Sequence, residues 1–296
     1  LGHNAHRFSI EWSRIEPEEG KFDEKEIEHY REVIEALRAR GIEPFVTLWH
    51  WTNPLWIRNK GGWKNPQTVT AYVRFAKYVM EQFRESVHYW QPLNEPNIYT
   101  SFGYIMGTQP PGEKNIIHAY RVLKNFTLAH KMVYEAGHAI SSDFNIGISH
   151  AVAHRTGYRN HVLNRWAAQI ITYLSEDRFL ERISLYTDFF GIQYYRHEPI
   201  AICLGGKRLG LITIEDEIGW KSDLGWQIYP HGIYDVIKRF QKYKKPLFIT
   251  ENGVADAQDI HRGKFIREHV YWMEKAMTEG ADVRGYFYWS LLDNFE

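Results

Sequence analysis

The sequence predicts an α/β fold, a (β/α)8 barrel of which seven strands are readable. Three observations predict it. Short apolar runs alternate strictly with amphipathic helical segments along the chain, the order that builds a parallel sheet. A length of 296 residues suits one large α/β barrel. No G-x-G-x-x-G follows any of the runs, so the rival open dinucleotide-binding sheet lacks its phosphate loop.

Taken in order, residues 5–10 form the first readable strand. Asp23-Glu24-Lys25-Glu26 predicts a capping box, with Asp23 as N-cap and Glu26 reaching back. Ile27, Tyr30, Ile34 and Leu37 follow at helical spacing, and Gly41 is placed to stop that helix. Residues 44–49, Pro-Phe-Val-Thr-Leu-Trp, read as a buried parallel strand. Asn65-Pro66 opens a second helix with Val69, Val73, Ala76, Met80 and Phe83 on one face. The strand at 87–90 leads into Pro92-Leu93-Asn94-Glu95-Pro96, and a third helix runs from Asn115 to Ala136, ending at Gly137. Further strands are expected at 144–149, 188–194, 246–250 and 284–289, with helices at 163–174, 232–243 and 264–279. Seven strands are one short of a closed barrel, so the first is expected upstream of Leu1, in a longer chain. With no linker, repeat or low-complexity tract, the reading is a single domain, residues 1–296.

Composition narrows the function classes. Lys plus Arg equals Asp plus Glu at 36 each, so no basic face favours a nucleic-acid or membrane partner. The lone Cys203 excludes an internal disulfide framework and a Cys-rich metal site. It fits a reducing compartment, and a cytoplasmic location is the expectation. No stretch has the apolar length of a membrane span, and the N-terminus lacks the pattern of a signal peptide. Aromatics reach 16%, with 11 Trp and 19 Tyr. Most are expected in the core, though Trp and Tyr also offer the flat faces and polar edges that sugars need. Nothing in the sequence sets an oligomeric state.

Catalytic groups of a βα barrel stand at the C-terminal ends of its strands. Those ends carry Arg7, Glu11 and Trp12; His50 and Trp51; Asn94 and Glu95; Tyr194 and Tyr195; Glu251 and Asn252; and Trp289. Two carboxylates with indoles and hydrogen-bonding side chains are the equipment for cleaving a glycosidic bond, which takes an acid and a second carboxylate across the anomeric carbon. A glutamate is more often a solvated or salt-bridged surface residue. Against that, Glu95 and Glu251 each directly follow an apolar strand and each sit beside an Asn. His50 taken alone reads as a hydrogen-bonded rim histidine, and Trp12, Trp49 and Trp63 read as packing. His118 and His130 are assigned no chemistry, and the histidines show no H-E-x-x-H spacing.

The blocks His6 to Ile15 (HRFSIEWSRI), Thr47-Leu48-Trp49-His50-Trp51, Asn94-Glu95-Pro96, Ile249-Thr250-Glu251-Asn252-Gly253 and Tyr288 to Glu296 (YWSLLDNFE) resemble, in order, the signature blocks of glycoside hydrolase family 1. The resemblance implies that Glu95 is the general acid/base and Glu251 the nucleophile. It implies that Asn94 holds the sugar 2-hydroxyl and that Arg7 and Tyr195 flank Glu251. His50 and Trp51 would bind the 3-hydroxyl side, Trp289 would lie under the ring, and Glu296 would grip the 4- and 6-hydroxyls. The implied mechanism needs no metal and no cofactor, and the partner is a small carbohydrate.

The chain departs from the family pattern at several places. The family's first strand, with its sugar-binding Gln, has no counterpart, and no Trp follows Glu296. Gln193 stands where the family has Asn, Pro92 replaces a common Thr, and the segment from 151 to 188 is short. The expected activity is exo-cleavage of non-phosphorylated β-glucosides, β-fucosides or β-galactosides with retention. The alternatives are a catalytically weak or inactive sugar-binding barrel and a transglycosidase.

Overall fold

In a computed structural model, which describes residues 2–205, 208–213, 220–292 and 294, the apolar runs are strands and the amphipathic stretches between them are helices. The strands are β1 (Ala5–Ser9), β2 (Glu43–Thr47), β3 (Tyr89–Gln91), β4 (Asn145–Gly157), β5 (Phe189–Gly205), β6 (Arg208–Thr213), β7 (Leu247–Asn252) and β8 (Val283–Tyr288). The chain divides into two compact units, Leu1–His150 with Arg182–Phe190, and Ala151–Glu181 with Gly191–Glu296. The division falls within β4 and β5.

In the first unit the strand order is β1-β2-β3-β4, all parallel. Ser9 pairs in register with Thr47, and Thr47 with Gln91, so the loops that leave these strands start level with one another. Helix Glu24–Arg38 buries Ile27, Tyr30 and Ile34, and Asp23 caps it by accepting the Lys25 N–H at 2.9 Å. Only half of the capping box forms. The Asp23 N–H is taken by the Ile15 carbonyl at 2.8 Å, and Glu26 turns instead to Arg14 at 2.6 Å. Helix Gln67–Gln82 is opened by Asn65, whose Oδ1 accepts the Gln67 N–H at 3.0 Å.

Aromatic packing fills this unit. Trp12 stacks on Phe75 with ring centroids 5.3 Å apart, and Trp63 lies 4.5 Å from Phe126. Trp49 and Trp63 both donate to Asn53 Oδ1, at 3.1 and 3.0 Å, so each buried indole N–H has an acceptor. All three indoles are buried, as the packing reading expects. One expected boundary is wrong: helix Ile116–Ile140 runs straight through Gly137. A Cβ there would lie 2.4 Å from Ile146 Cδ1 and 2.5 Å from Met80 Cε, so the glycine serves close packing and not termination.

In the second unit the strand order is β5-β7-β8, with β6 paired antiparallel to β5. All six residues of β7 are buried, as a strand covered on both faces requires. Helix His231–Phe240 buries Ile233, Val236, Ile237 and Phe240, and helix Arg262–Thr278 buries Phe265 and His269. Two expected strands prove longer than their apolar runs: β4 continues to Gly157 and β5 to Gly205. The extra length holds charges that neutralise one another. Arg155 Nε of β4 donates to Glu198 Oε2 of β5 at 2.6 Å, and Arg196 Nε donates to Glu198 Oε1 at 2.9 Å. Strand β6 was not expected, because it lies outside the βα alternation. Among the described residues no helix is long and apolar enough to cross a membrane.

Candidate active site

The first unit joins Arg7, His50 and Asn94 by hydrogen bonds. Arg7 Nε donates to Gln91 Oε1 at 2.6 Å, and Arg7 Nη2 donates to Asn94 Oδ1. Gln91 Oε1 also accepts from Thr47 Oγ1 at 3.0 Å. With Asn94 Oδ1 taken by Arg7, the Asn94 amide nitrogen faces His50 Nε2 at 3.1 Å, and His50 Nδ1 faces Ser9 Oγ at 3.2 Å. An amide nitrogen only donates, so His50 Nε2 is the acceptor and Nδ1 carries the proton. Burial, followed by the Arg7 charge, pushes His50 down to about 4, so the ring is neutral near pH 7. A neutral ring can complete this chain of donors and acceptors, whereas an imidazolium would oppose both Asn94 and Arg7.

Glu95 and Trp51 stand beside this chain in strained backbone. Glu95 has φ 44° and ψ 55°, and Trp51 has φ 76°. Left-handed backbone costs a residue with a Cβ about 1–2 kcal/mol. The Glu95 N–H is held by the Ser149 carbonyl at 2.9 Å, and its carbonyl accepts the Tyr99 N–H at 3.1 Å. The Trp51 indole N–H donates to the Asn94 carbonyl at 3.2 Å. These bonds offset the strain and turn Glu95 out of the strand direction.

Three histidines carry a pH consequence. Burial lowers His50, His130 and His269 each to about 4. An unfolded histidine titrates near 6.5, so between pH 6.5 and 4 the unfolded chain binds more protons than the native one. Their contribution to stability is complete above pH 6.5 and lost as pH falls toward 4. Calorimetry at pH 5 is expected to show uptake of about two to three protons on unfolding, with a midpoint well below that at pH 7. An unchanged midpoint over that range would contradict the buried neutral state.

In the second unit, Glu251 is the penultimate residue of β7 with 5% of its surface exposed, and the Tyr195 hydroxyl of β5 donates to its Oε2 at 2.7 Å. Asn252 braces the strand end. Its Nδ2 donates to the Tyr194 carbonyl at 2.5 Å, and its Oδ1 accepts from the Tyr286 hydroxyl of β8 at 2.8 Å. The Trp289 N–H bonds to the Asn252 carbonyl at 3.0 Å, which ties the indole's backbone to the same point. A Cβ on Gly253 would lie 1.9 Å from the Trp289 carbonyl oxygen, so only glycine permits this approach. A cavity of about 690 Å³ opens beside these residues, its wall including Tyr195, Trp226, Gly253 and Trp289.

Of the residues singled out from sequence, Arg7, His50, Trp51, Asn94 and Glu95 gather in the first unit, and Tyr195, Glu251 and Trp289 in the second. Glu296 lies outside the described residues. Sequence reasoning missed Ser9, Gln91, Trp226 and Tyr286. Gln91 of β3 pairs with Thr47 of β2, which pairs with Ser9 two residues beyond Arg7 on β1, and this Ser9–Thr47–Gln91 register was the signal that could have found it.

Parallel strands whose C-terminal ends carry two glutamate-centred groups and an indole are the frame of a glycoside hydrolase. The model of glycosyl hydrolase family 1 matches residues 1–186 and 168–296, and the chain belongs to this family. The β-glycosidase from Pyrococcus horikoshii matches with a TM-score of 0.93 at 35% identity, over all of this chain and 73% of its own. The fold class is the (β/α)8 barrel of such neighbours. Beta-glucosidase A of Thermotoga maritima is 30% identical over 338 aligned residues, spanning all of this chain and 75% of that protein. The chloroplastic galactolipid galactosyltransferase SFR2 of Arabidopsis thaliana is also 30% identical, over all of this chain and 49% of its own length.

Proposed function

We propose that this enzyme hydrolyses terminal non-reducing β-D-glycosides, of glucose, fucose or galactose, with retention through a covalent glycosyl-enzyme. The observation that carries the reading is the buried Glu251 carboxylate at the end of β7, held by the Tyr195 hydroxyl at 2.7 Å. A hydroxyl donating to one carboxylate oxygen fixes the orientation of the group, which is what a nucleophile requires. In the first step Glu251 attacks C1 while Glu95 gives its proton to the departing glycosidic oxygen. In the second, Glu95, now a carboxylate, takes a proton from water. That water attacks C1, and Glu251 leaves as the carboxylate. Asn94 would hold the 2-hydroxyl, where hydrogen bonds strengthen as C1 gains cationic character. His50 and Trp51 would serve the 3-hydroxyl side, Trp289 the ring face and Glu296 the 4- and 6-hydroxyls, and Arg7 would support Glu251.

The test is a mass measurement after incubation with a 2-deoxy-2-fluoro-β-glucoside bearing a dinitrophenolate leaving group. One glycosyl unit per chain, mapped to Glu251, is the expected result. An adduct on another residue, or none with any of the three sugars, would overturn the assignment. The similarity to a galactosyltransferase supports a second reading, in which an alcohol replaces water in the second step. Product analysis with competing alcohols separates the two.

A further inference from the structure

A run of charged and aromatic contacts in the second unit ends at Glu251. It begins at Glu198, a β5 carboxylate with only 8% of its surface exposed. Arg155 Nε donates to one of its oxygens at 2.6 Å, and Arg196 donates to the other from Nε at 2.9 Å and lies within 2.6 Å through Nη2. Burial alone would raise Glu198, but Arg155 and Arg196 outweigh it and hold the carboxyl below its usual range. Arg196 is therefore clamped at two nitrogens by a carboxylate that stays charged, and its planar group has a fixed orientation. The guanidinium carbon lies 4.9 Å from the ring centre of Trp226, within cation–π range. Trp226 in turn meets the ring of Tyr195 edge-on, with centroids 5.8 Å apart. Tyr195 holds Glu251.

The backbone around Trp226 is tied separately. The His197 N–H bonds to the Gln227 carbonyl at 3.2 Å, and the Ser222 N–H bonds to the Trp226 carbonyl at 3.0 Å. These bonds place the loop but leave the indole's own rotation to its neighbours. Arg196 and Tyr195 are successive residues of β5. The indole of Trp226 touches both, and so links the clamped cation to the tyrosine.

We propose that Arg196 is a positioning residue for the nucleophile: clamped by Glu198, it fixes the Trp226 indole, which keeps the Tyr195 hydroxyl on Glu251. The proposal rests on Glu251 being the nucleophile. Its test is the rate constant for trapping by the same 2-fluoro-glucoside, because trapping reports bond formation between Glu251 and C1. Arg196→Ala is expected to slow trapping about fivefold, the size a half-exposed cation–π contact can carry. Arg196→Lys, which keeps the charge but loses the planar clamp, should fall between.

The deciding comparison uses Tyr195→Phe. If Arg196 acts through the tyrosine, Arg196→Ala in that background changes trapping little, so the two effects fail to add. Additive effects would overturn the proposal. So would unchanged trapping accompanied by a lowered thermal midpoint, the signature of a purely structural brace. Labelling of wild-type Glu251 at a rate independent of Arg196 sinks this proposal alone, whereas no labelling of Glu251 sinks the nucleophile assignment with it.

Discussion

Glu251→Gln is expected to lower kcat on every β-glycoside by about five orders of magnitude or more, because a neutral amide cannot form the covalent intermediate. The loss should be large for good and poor leaving groups alike, since both need the nucleophile at C1 as the glycosidic bond breaks. The substitution is nearly isosteric, and the Gln carbonyl can accept the Tyr195 hydroxyl in place of Glu251 Oε2. The fold is therefore expected to survive, with a thermal midpoint close to that of the wild type. Glu251→Ala opens space at C1, and added azide is expected to restore turnover by direct attack, giving the α-glycosyl azide. Steady-state kinetics with aryl glycosides and identification of the azide product check both points. Turnover by Glu251→Gln within tenfold of the wild type would end the nucleophile assignment.

Replacement of Glu95 by Gln is expected to show the opposite dependence on leaving group. A general acid contributes about 10²–10⁴-fold when the departing oxygen needs a proton, and little when it leaves readily as an anion. For alkyl glycosides kcat/KM should fall by about three orders of magnitude, and for dinitrophenyl glycosides by about tenfold or less. The second step lacks its base in this variant, so the glycosyl-enzyme should accumulate on the activated substrate. Azide needs no deprotonation and should release it as the β-glycosyl azide. Glu95 also carries left-handed backbone, with φ 44°, which a Gln inherits unchanged, so the comparison isolates the proton. Equal losses on both classes of leaving group would count against the acid role.

The site was legible as residue types and poorly legible as contacts. Glu95 and Glu251 could be singled out because each follows an apolar run and sits beside an Asn, a pattern written within a few consecutive positions. The Arg7–Asn94 bond joins residues 87 positions apart, and the Asn94–His50 bond residues 44 apart. No local period reports such pairs. The strained backbone at Trp51 and Glu95 was equally hidden, because neither residue type favours φ > 0.

The alternation of strands and helices was determined by the sequence alone, since apolar spacing within ten residues is enough to select a strand or an amphipathic helix. The five family blocks, and through them the assignment to glycosyl hydrolase family 1, were likewise present in the sequence. Tertiary structure decided where β4 and β5 end, because Arg155, Arg196 and Glu198 are tolerable in buried strands only as partners of one another. It decided that helix Ile116–Ile140 runs through Gly137, because Met80 and Ile146 occupy the space a Cβ would need. It also decided which hydroxyl reaches Glu251. That contact depends on β5 and β7 bringing together residues 56 positions apart, a proximity that only the folded chain creates.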